Sequence, residues 1–361
     1  MTPAFVPGLD LAEAFYTEVL APLVGVPHAA ALLGEGSEVL GFDTERSTDH
    51  EWGPRAQIFV ADGDVDAVRA RIGAGLPPVF RGLPTAWFSL AAGGVAHHVE
   101  TTTARAWLTA ALGVDRVDTL ETADWLALPQ QRLLHVTAGR VFRDDLGELT
   151  SARAALAWYP DDVWRWMVAV QWHLIGNAEP LRARCREVGD VRGAALLTAR
   201  LAGLIMELAF LLERRYRPYD KWFGSAFARL DAAAVVGPHV DAALAGVVGS
   251  AASDDPIVAA LAELGRRHDA AAVSAPVGPA AGDFEVGIGD AVRPYRVSNA
   301  GAYVRATLAA VTDPALRALL PVGALDQLTH GDDTLVTFSA WPRRLAGAYR
   351  AELAATAAAV P

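Results

Sequence analysis

The sequence predicts an α+β protein of several domains. Three observations predict it. The first 112 residues interleave short apolar runs of strand length with helical patterns. Residues 151–237 carry two long helical patterns and no strand signal. From Pro238 onward, loop-like stretches rich in Ala, Gly, Ser, Asp and Pro separate short alternating apolar segments and helices. The expected organisation is a sheet-and-helix domain over 1–112, a connecting segment over 113–150, a helical domain over 151–237 and a small α+β region over 238–361. No internal repeat is visible.

In order, Leu9 to Leu23 reads as a helix closed off by Pro22 and Pro27. Ala29–Leu33 and Ala56–Val60 read as strands. Asp62 to Ile72 reads as a helix, with Asp64 as N-cap and Val65, Val68 and Ile72 on one face. Gly73 to Pro78 breaks it. Val79 to Leu90 is aromatic and β-prone, Gly93-Gly94 is a turn, and Val95 to Thr101 is a strand. Thr102 to Leu112 is a short helix ended by Gly113. Asp161-Asp162 caps a helix running to about Ile175, and Gly189-Asp190 opens a long one to about Tyr216, ended by Pro218. Beyond them lie possible strands within Phe284–Val297, helices over Asn299–Val311 and Asp313–Leu320, and a terminal helix over Trp341–Ala359.

The stretch Gly34–Arg55, GEGSEVLGFDTERSTDHEWGPR, holds the densest chemistry. Gly36-Ser37 stands at the end of one apolar run, and Asp49 and Glu51 precede the next. If Asp49 to Val60 is extended, the two carboxylates point to one face, because side chains alternate along a strand. Two adjacent carboxylates repel each other, and a divalent cation removes that cost. A glycine lets backbone approach a phosphate closely, and serine supplies an N–H and a hydroxyl to donate. By itself Gly36-Ser37 would be an ordinary turn more often than a phosphate cradle.

The spacing Gly-Ser, eleven residues, Asp-x-Glu resembles the signature of the DNA polymerase β-type nucleotidyltransferases, a superfamily that includes the aminoglycoside and lincosamide nucleotidyltransferases. The longer wording GSEVLGFDTERSTDHEWGPR is similar to a bacterial subgroup, the DUF4037 domain. So are TAGRVFRDDLGELT (Thr137–Thr150), YPDDVWRWMVAVQW (Tyr159–Trp172) and ERRYRPYDKWFGSAF (Glu213–Phe227). The chain departs from the commoner Ser-Asp-x-Asp wording at Ser47-Thr48-Asp49 and with glutamate at Glu51.

The resemblance implies a nucleotidyltransferase-like mixed sheet with helices, followed by a helical domain. It implies two Mg²⁺ ions on Asp49 and Glu51, with Glu100 as a third carboxylate from a neighbouring strand. Gly36 and Ser37 would hold the β- and γ-phosphates of an NTP, with ATP as the default. A helical-domain glutamate would serve as base, for which Glu207 and Glu213 are the candidates. Lys221 would reach the triphosphate, with Tyr216, Tyr219, Trp222 and Phe223 as an aromatic wall. The expected reaction moves an NMP group to a hydroxyl of a small-molecule acceptor. Two alternatives stay open: a non-catalytic, antitoxin-like nucleotide-binding protein, and a metal-dependent phosphohydrolase.

Composition limits the partners. Apolar residues make up 52% of the chain and the mean hydropathy is +0.23, so a folded core is expected. The formal net charge of −11 disfavours nucleic acid, whose binders carry a basic face. The N-terminus lacks the pattern of a secretory signal, and Arg192, Arg200 and Glu207 interrupt the most apolar window, Val191–Leu212, so no membrane span is expected. A single cysteine, Cys185, fits a cytoplasmic protein. Lys221 is the sole lysine among 31 basic residues, so arginine is uninformative as a functional marker here. The run Asp144-Asp145-Leu-Gly-Glu148 reads as a turn before a helix at least as well as a site. Walker A, nucleophile-elbow and zinc-ligand patterns are missing from the sequence.

Overall fold

A computed structural model describes residues 5–49, 52–89, 93–114, 116–246, 255–285, 292–332, 335 and 340–359. The chain divides into two compact units, Met1–Leu120 with Gln130–Ala157, and Glu121–Pro129 with Trp158–Pro361.

The first unit opens with Gly8–Phe15 (α1), which passes through a π-helical segment, Tyr16–Leu20, into Ala21–Val24 (α2). Pro22 has no N–H to return to the preceding turn, and the wider segment before it absorbs the mismatch. The strands Ala29–Leu32 (β1) and Ala56–Phe59 (β2) follow, then the helix Val65–Gly75 (α3). Asp64 precedes α3, but its side chain makes no capping bond, contrary to expectation. The β-prone stretch forms two hairpins, Val79–Phe80 (β3) with Leu83–Pro84 (β4), and Ala86–Ser89 (β5) with Gly94–His97 (β6). The single strand expected over Val95 to Thr101 is broken at His98, and Val99–Thr102 (β7) joins a different sheet. Ala104–Leu112 (α4) follows, capped by Thr103, whose hydroxyl oxygen accepts from the Ala106 N–H at 3.0 Å. Thr122–Ala127 (α5) belongs to the second unit. Gln130–Thr137 (α6), Arg140–Asp144 (β8) and Glu148–Ala155 (α7) complete the first.

The main sheet is mixed, in the order β7-β2-β1-β8. β1 is antiparallel to β2 and β8, whereas β2 and β7 are parallel. Ala30, Ala56, Ile58 and Val99 form one core with Leu11, Phe15 and Leu20 and with Val68 and Ile72 of α3. Phe59 meets Trp107 of α4 edge-on at 5.8 Å. β1 is three alanines and a leucine, all buried, so it fills little volume and neighbours can approach closely. Gly139 uses that room. It takes φ 69, and a Cβ on it would lie 2.1 Å from the Leu32 carbonyl oxygen, so only glycine fits the crossing between α6 and β8.

The extended run expected from Asp49 to Val60 is not formed. Glu45–Asp49 is a 3₁₀ turn, and the strand begins at Ala56. Local bonds explain the turn. The Thr44 N–H donates to the Ser47 Oγ at 3.1 Å, the Ser47 N–H to the Thr44 carbonyl at 2.8 Å, and the Thr48 hydroxyl to the Glu45 carbonyl at 2.8 Å. Serine and threonine side chains compete in this way with strand pairing.

The second unit is mostly helical. Asp161–Glu187 (α8) continues through Pro180, well beyond the expected end near Ile175, and buries Trp166 and Trp172 completely. Val191–Leu212 (α9) is capped by Asp190, which accepts from the Gly193 N–H at 2.9 Å. It ends before Tyr216 because Arg214 turns left-handed at φ 52 and the Arg215 N–H returns to the Phe210 carbonyl at 2.9 Å. Pro218 is therefore not the terminator. By length and composition α9 is the one described helix that could cross a membrane. Its Leu201, Leu204, Ile205, Leu208 and Phe210 are buried inside this unit. Asp220–Phe227 (α10), Ala233–Leu244 (α11) and Pro256–Ala270 (α12) follow, then the antiparallel hairpin Ala281–Glu285 (β9) with Val292–Ser298 (β10). Ala300–Ala309 (α13), Pro314–Ala318 (α14), Leu325–Thr329 (α15) and the terminal helix Trp341–Ala359 close the chain. Both α12 and α13 pack onto the α8–α9 pair, so the C-terminal elements share a unit with the long helices.

Candidate site at the Gly36–Ser37 turn

The end of β1 is pinned before the chain turns. Leu33 donates its N–H to the Gln57 side-chain oxygen at 3.0 Å and accepts from the Gln57 amide nitrogen at 3.1 Å. The Gly34 N–H donates to the His135 carbonyl at 2.8 Å. The turn is closed by carbonyls: Phe42 N–H donates to the Ser37 oxygen at 2.8 Å, and Gly41 N–H to the Glu38 oxygen at 3.0 Å. No bond to another described residue is made by the Gly36 N–H, the Ser37 N–H or the Ser37 hydroxyl. The turn therefore spends its acceptors on its own shape and keeps donors available, which suits an anion.

Gly36 must be glycine. Its φ is 134, and a Cβ there would lie 2.6 Å from both Arg55 Nη2 and a Glu38 carboxylate oxygen. Glu38 is buried beneath the turn, wedged between Gly36 and Gly8, and pairs with the Arg55 guanidinium. Arg55 also donates to the Glu35 carbonyl at 2.7 Å. Its Nε is buried and has no acceptor among the described residues. Asp43 ties this floor to the start of α1, accepting from the Gly8 N–H at 2.7 Å and from the Trp52 indole at 3.5 Å. Trp87 lies against Gly53 and stacks flat on His98, with ring centres 3.9 Å apart. The segment Trp52–Arg55 is thus held at both ends.

The carboxylates are placed as follows. Asp49 is exposed at the end of the 3₁₀ turn, and Glu51 lies outside the described residues, as does His50. Glu100 sits on β7 opposite Gln57, in the strand parallel to β2. Paired residues of neighbouring strands share a sheet face, so Glu100 stands on the face where Gln57 reaches to the end of β1. Glu100 is exposed, and partial desolvation by its neighbours raises its carboxyl above the ordinary glutamate range. Among the described residues, no three His, Cys, Asp or Glu side chains converge into a metal-holding group.

Glu207, Glu213 and Lys221 belong to the second unit. Glu207 accepts from Gln171 at 3.0 Å and from Arg217 at 2.9 Å. Glu213 accepts the Asp231 and Ala232 N–H groups at 3.0 and 2.6 Å, so it joins the end of α9 to the approach of α11. Lys221 is exposed, with its ammonium 4.9 Å from the centre of the Trp222 ring. The expected aromatic wall is split. Trp222 bonds Tyr219 at 2.9 Å, Phe223 stacks on Phe210 at 5.7 Å, and Tyr216 packs with Trp158 and Tyr159.

Sequence reasoning missed Glu38, Asp43, Arg55 and Gln57. Their signal was present as charged and amide groups inside or beside the Gly34–Arg55 stretch. Contact between Glu38 and Arg55, 17 positions apart, is a product of the turn and not of any periodicity.

The fold and the site define an α+β protein whose mixed four-stranded sheet carries a donor-rich Gly-Ser turn at the end of its first strand. Residues 125–223 match the family described as "Domain of unknown function (DUF4037)". The matched span includes Glu207, Glu213 and Lys221 and ends within α10; Gly36, Ser37, Asp49, Glu51 and Glu100 precede it. No curated protein and no solved structure matches the chain.

Proposed function

We propose that the first unit is the nucleotide-binding unit of a Mg²⁺-dependent nucleotidyltransferase. It would transfer an NMP group from an NTP, by resemblance ATP, to a hydroxyl of a small-molecule acceptor. The observation that carries this reading is the Gly36–Ser37 turn, whose N–H and hydroxyl donors are unspent at the end of a pinned strand. Those donors would hold the non-transferred phosphates. Asp49, Glu51 and Glu100 have the hard oxygen chemistry that Mg²⁺ selects, and Glu100 is a carboxyl whose desolvation a cation would offset. Bound Mg²⁺ would neutralise phosphate charge and polarise the transferred phosphoryl group. The acceptor hydroxyl gives up its proton to a base or to solvent, its oxygen forms a bond to the α-phosphorus, the bond from that phosphorus to the α,β-bridging oxygen breaks, and pyrophosphate leaves. The acidic chain and the family resemblance favour a small, cytoplasmic acceptor over nucleic acid.

Calorimetry with ATP and Mg²⁺ tests the site. Asp49→Asn and Glu51→Gln are each expected to weaken Mg²⁺-dependent ATP binding at least tenfold with the fold unchanged, because each removes a ligand charge. Unchanged affinity in both variants refutes the metal assignment. One observation favours binding without turnover: Asp49 lies on an exposed turn and not on a strand beside Glu100. Incubation with labelled ATP, Mg²⁺ and a metabolite extract separates the readings. Pyrophosphate with an adducted acceptor marks transfer, free nucleotide monophosphate or phosphate marks hydrolysis, and binding alone marks a nucleotide sensor.

A further inference from the structure

The Glu38–Arg55 pair under the turn is more elaborate than a floor requires. Arg55 Nη2 stands against the Gly36 backbone, 2.6 Å from where a Cβ would project. The guanidinium therefore borders the same turn whose donors are unspent. A guanidinium carries five N–H donors in a rigid fork. Its bonds to Glu38 and to the Glu35 carbonyl run through Nη2, while Nε is buried and has no acceptor among the described residues. An unmatched buried donor is costly, and the arrangement tolerates one beside a candidate anion site. Glu38 meanwhile puts a buried carboxylate next to the place where an anion would sit, which opposes anion binding.

We propose that Arg55 is an additional polyphosphate-binding residue of this site, and that Glu38 holds its guanidinium in competition with the ligand. This inference rests on the nucleotide-binding reading above. A polyphosphate competes with Glu38 for the fork, because phosphate oxygens match its paired N–H geometry. A ligand of low charge does not displace a buried carboxylate, so the pair selects for multiply charged phosphates. Both substitutions would loosen the turn if the pair were only a floor. The competition instead requires effects of opposite sign.

The test is calorimetry of inorganic tripolyphosphate and of inorganic phosphate with the full chain. Tripolyphosphate is expected to bind the wild type more tightly than phosphate. Glu38→Gln is expected to bind tripolyphosphate about fivefold to tenfold more tightly, and Arg55→Gln to bind it at least tenfold more weakly. The double variant is expected to lose most of the gain seen in Glu38→Gln, since what Glu38 restrains is Arg55; a full gain kept in the absence of Arg55 leaves Glu38 as a repelling charge only and overturns the proposal. Equal weakening in Glu38→Gln and Arg55→Gln overturns the proposal and leaves the pair as structure. Wild type that binds no tripolyphosphate overturns the nucleotide reading itself. A second measurement uses the wild-type fold. The Arg55 Nε–H resonance, assigned by its loss in Arg55→Lys, is expected to move downfield on saturation with tripolyphosphate. No movement at saturation counts against the proposal even where Glu38→Gln fails to fold.

Discussion

Replacing Gly36 with alanine tests the turn on which the site depends. The backbone there sits at φ 134, a conformation L residues avoid, and holding alanine in it costs about 1–3 kcal/mol. The new methyl would also lie 2.6 Å from Arg55 Nη2 and from a Glu38 oxygen. One of the two must move, and the pair is mostly buried, with side-chain exposures of 21% for Arg55 and 6% for Glu38. Breaking a buried pair outright costs about 3–5 kcal/mol, and a displaced guanidinium that finds water costs less. The combined expectation is a loss of roughly 2–4 kcal/mol in the first unit, a fall of roughly 4–16 °C in its melting temperature. Hydrogen exchange read by mass spectrometry localises the effect. Peptides spanning Gly34–Val60 are expected to exchange faster, whereas peptides from α8 and α9 keep their protection. ATP binding is expected to fall in the same variant. Wild-type exchange and melting in Gly36→Ala would refute both the left-handed turn and the contact beneath it.

Two further predictions concern the second unit. Glu179 is fully buried, accepts the Ser298 N–H at 2.9 and 3.0 Å and the Ser298 hydroxyl at 2.6 Å, and faces Arg182 and Asp255. Burial pushes its carboxyl up from 4.5 to about 7, against the downward pull of Ser298 and Arg182. A raised folded pKa means that unfolding releases a proton between those values, so stability falls as pH rises from about 4.5 to 7 and levels off above. Relative to Glu179→Gln, the wild type is expected to lose on the order of 3 kcal/mol across that window in urea unfolding; parallel pH profiles would refute the buried carboxyl. Glu213 has both oxygens on the Asp231 and Ala232 amides, so Glu213→Ala is expected to cost about 1–2 kcal/mol without altering the pH profile of any turnover. A lost acidic limb in the rate profile with unchanged stability would restore Glu213 as a proton acceptor.

The sequence by itself determined the class of fold and the place of the turn. β1 and β2 begin where the expected runs begin, because a mostly buried strand needs apolar residues at nearly every position. Gly36-Ser37 was legible as a turn because glycine and serine follow the apolar run of β1 and break its pattern. The terminal helix and the helix after Gly189-Asp190 were legible from composition and capping. Tertiary structure decided the rest. Asp49 was expected on a strand from alternation alone, but Ser47 and Thr48 found local backbone partners and coiled the chain into a 3₁₀ turn that ends at Asp49. α9 stops at Leu212 because Arg214 turns left-handed, which no composition rule places at an arginine. Gly139 looks like any loop glycine until the Leu32 carbonyl is found 2.1 Å from its missing side chain. Glu38 and Arg55 were visible as opposite charges in one stretch. Their meeting beneath Gly36 depends on a turn that brings distant positions together, and local sequence patterns describe periodicity and capping but not closure of that kind.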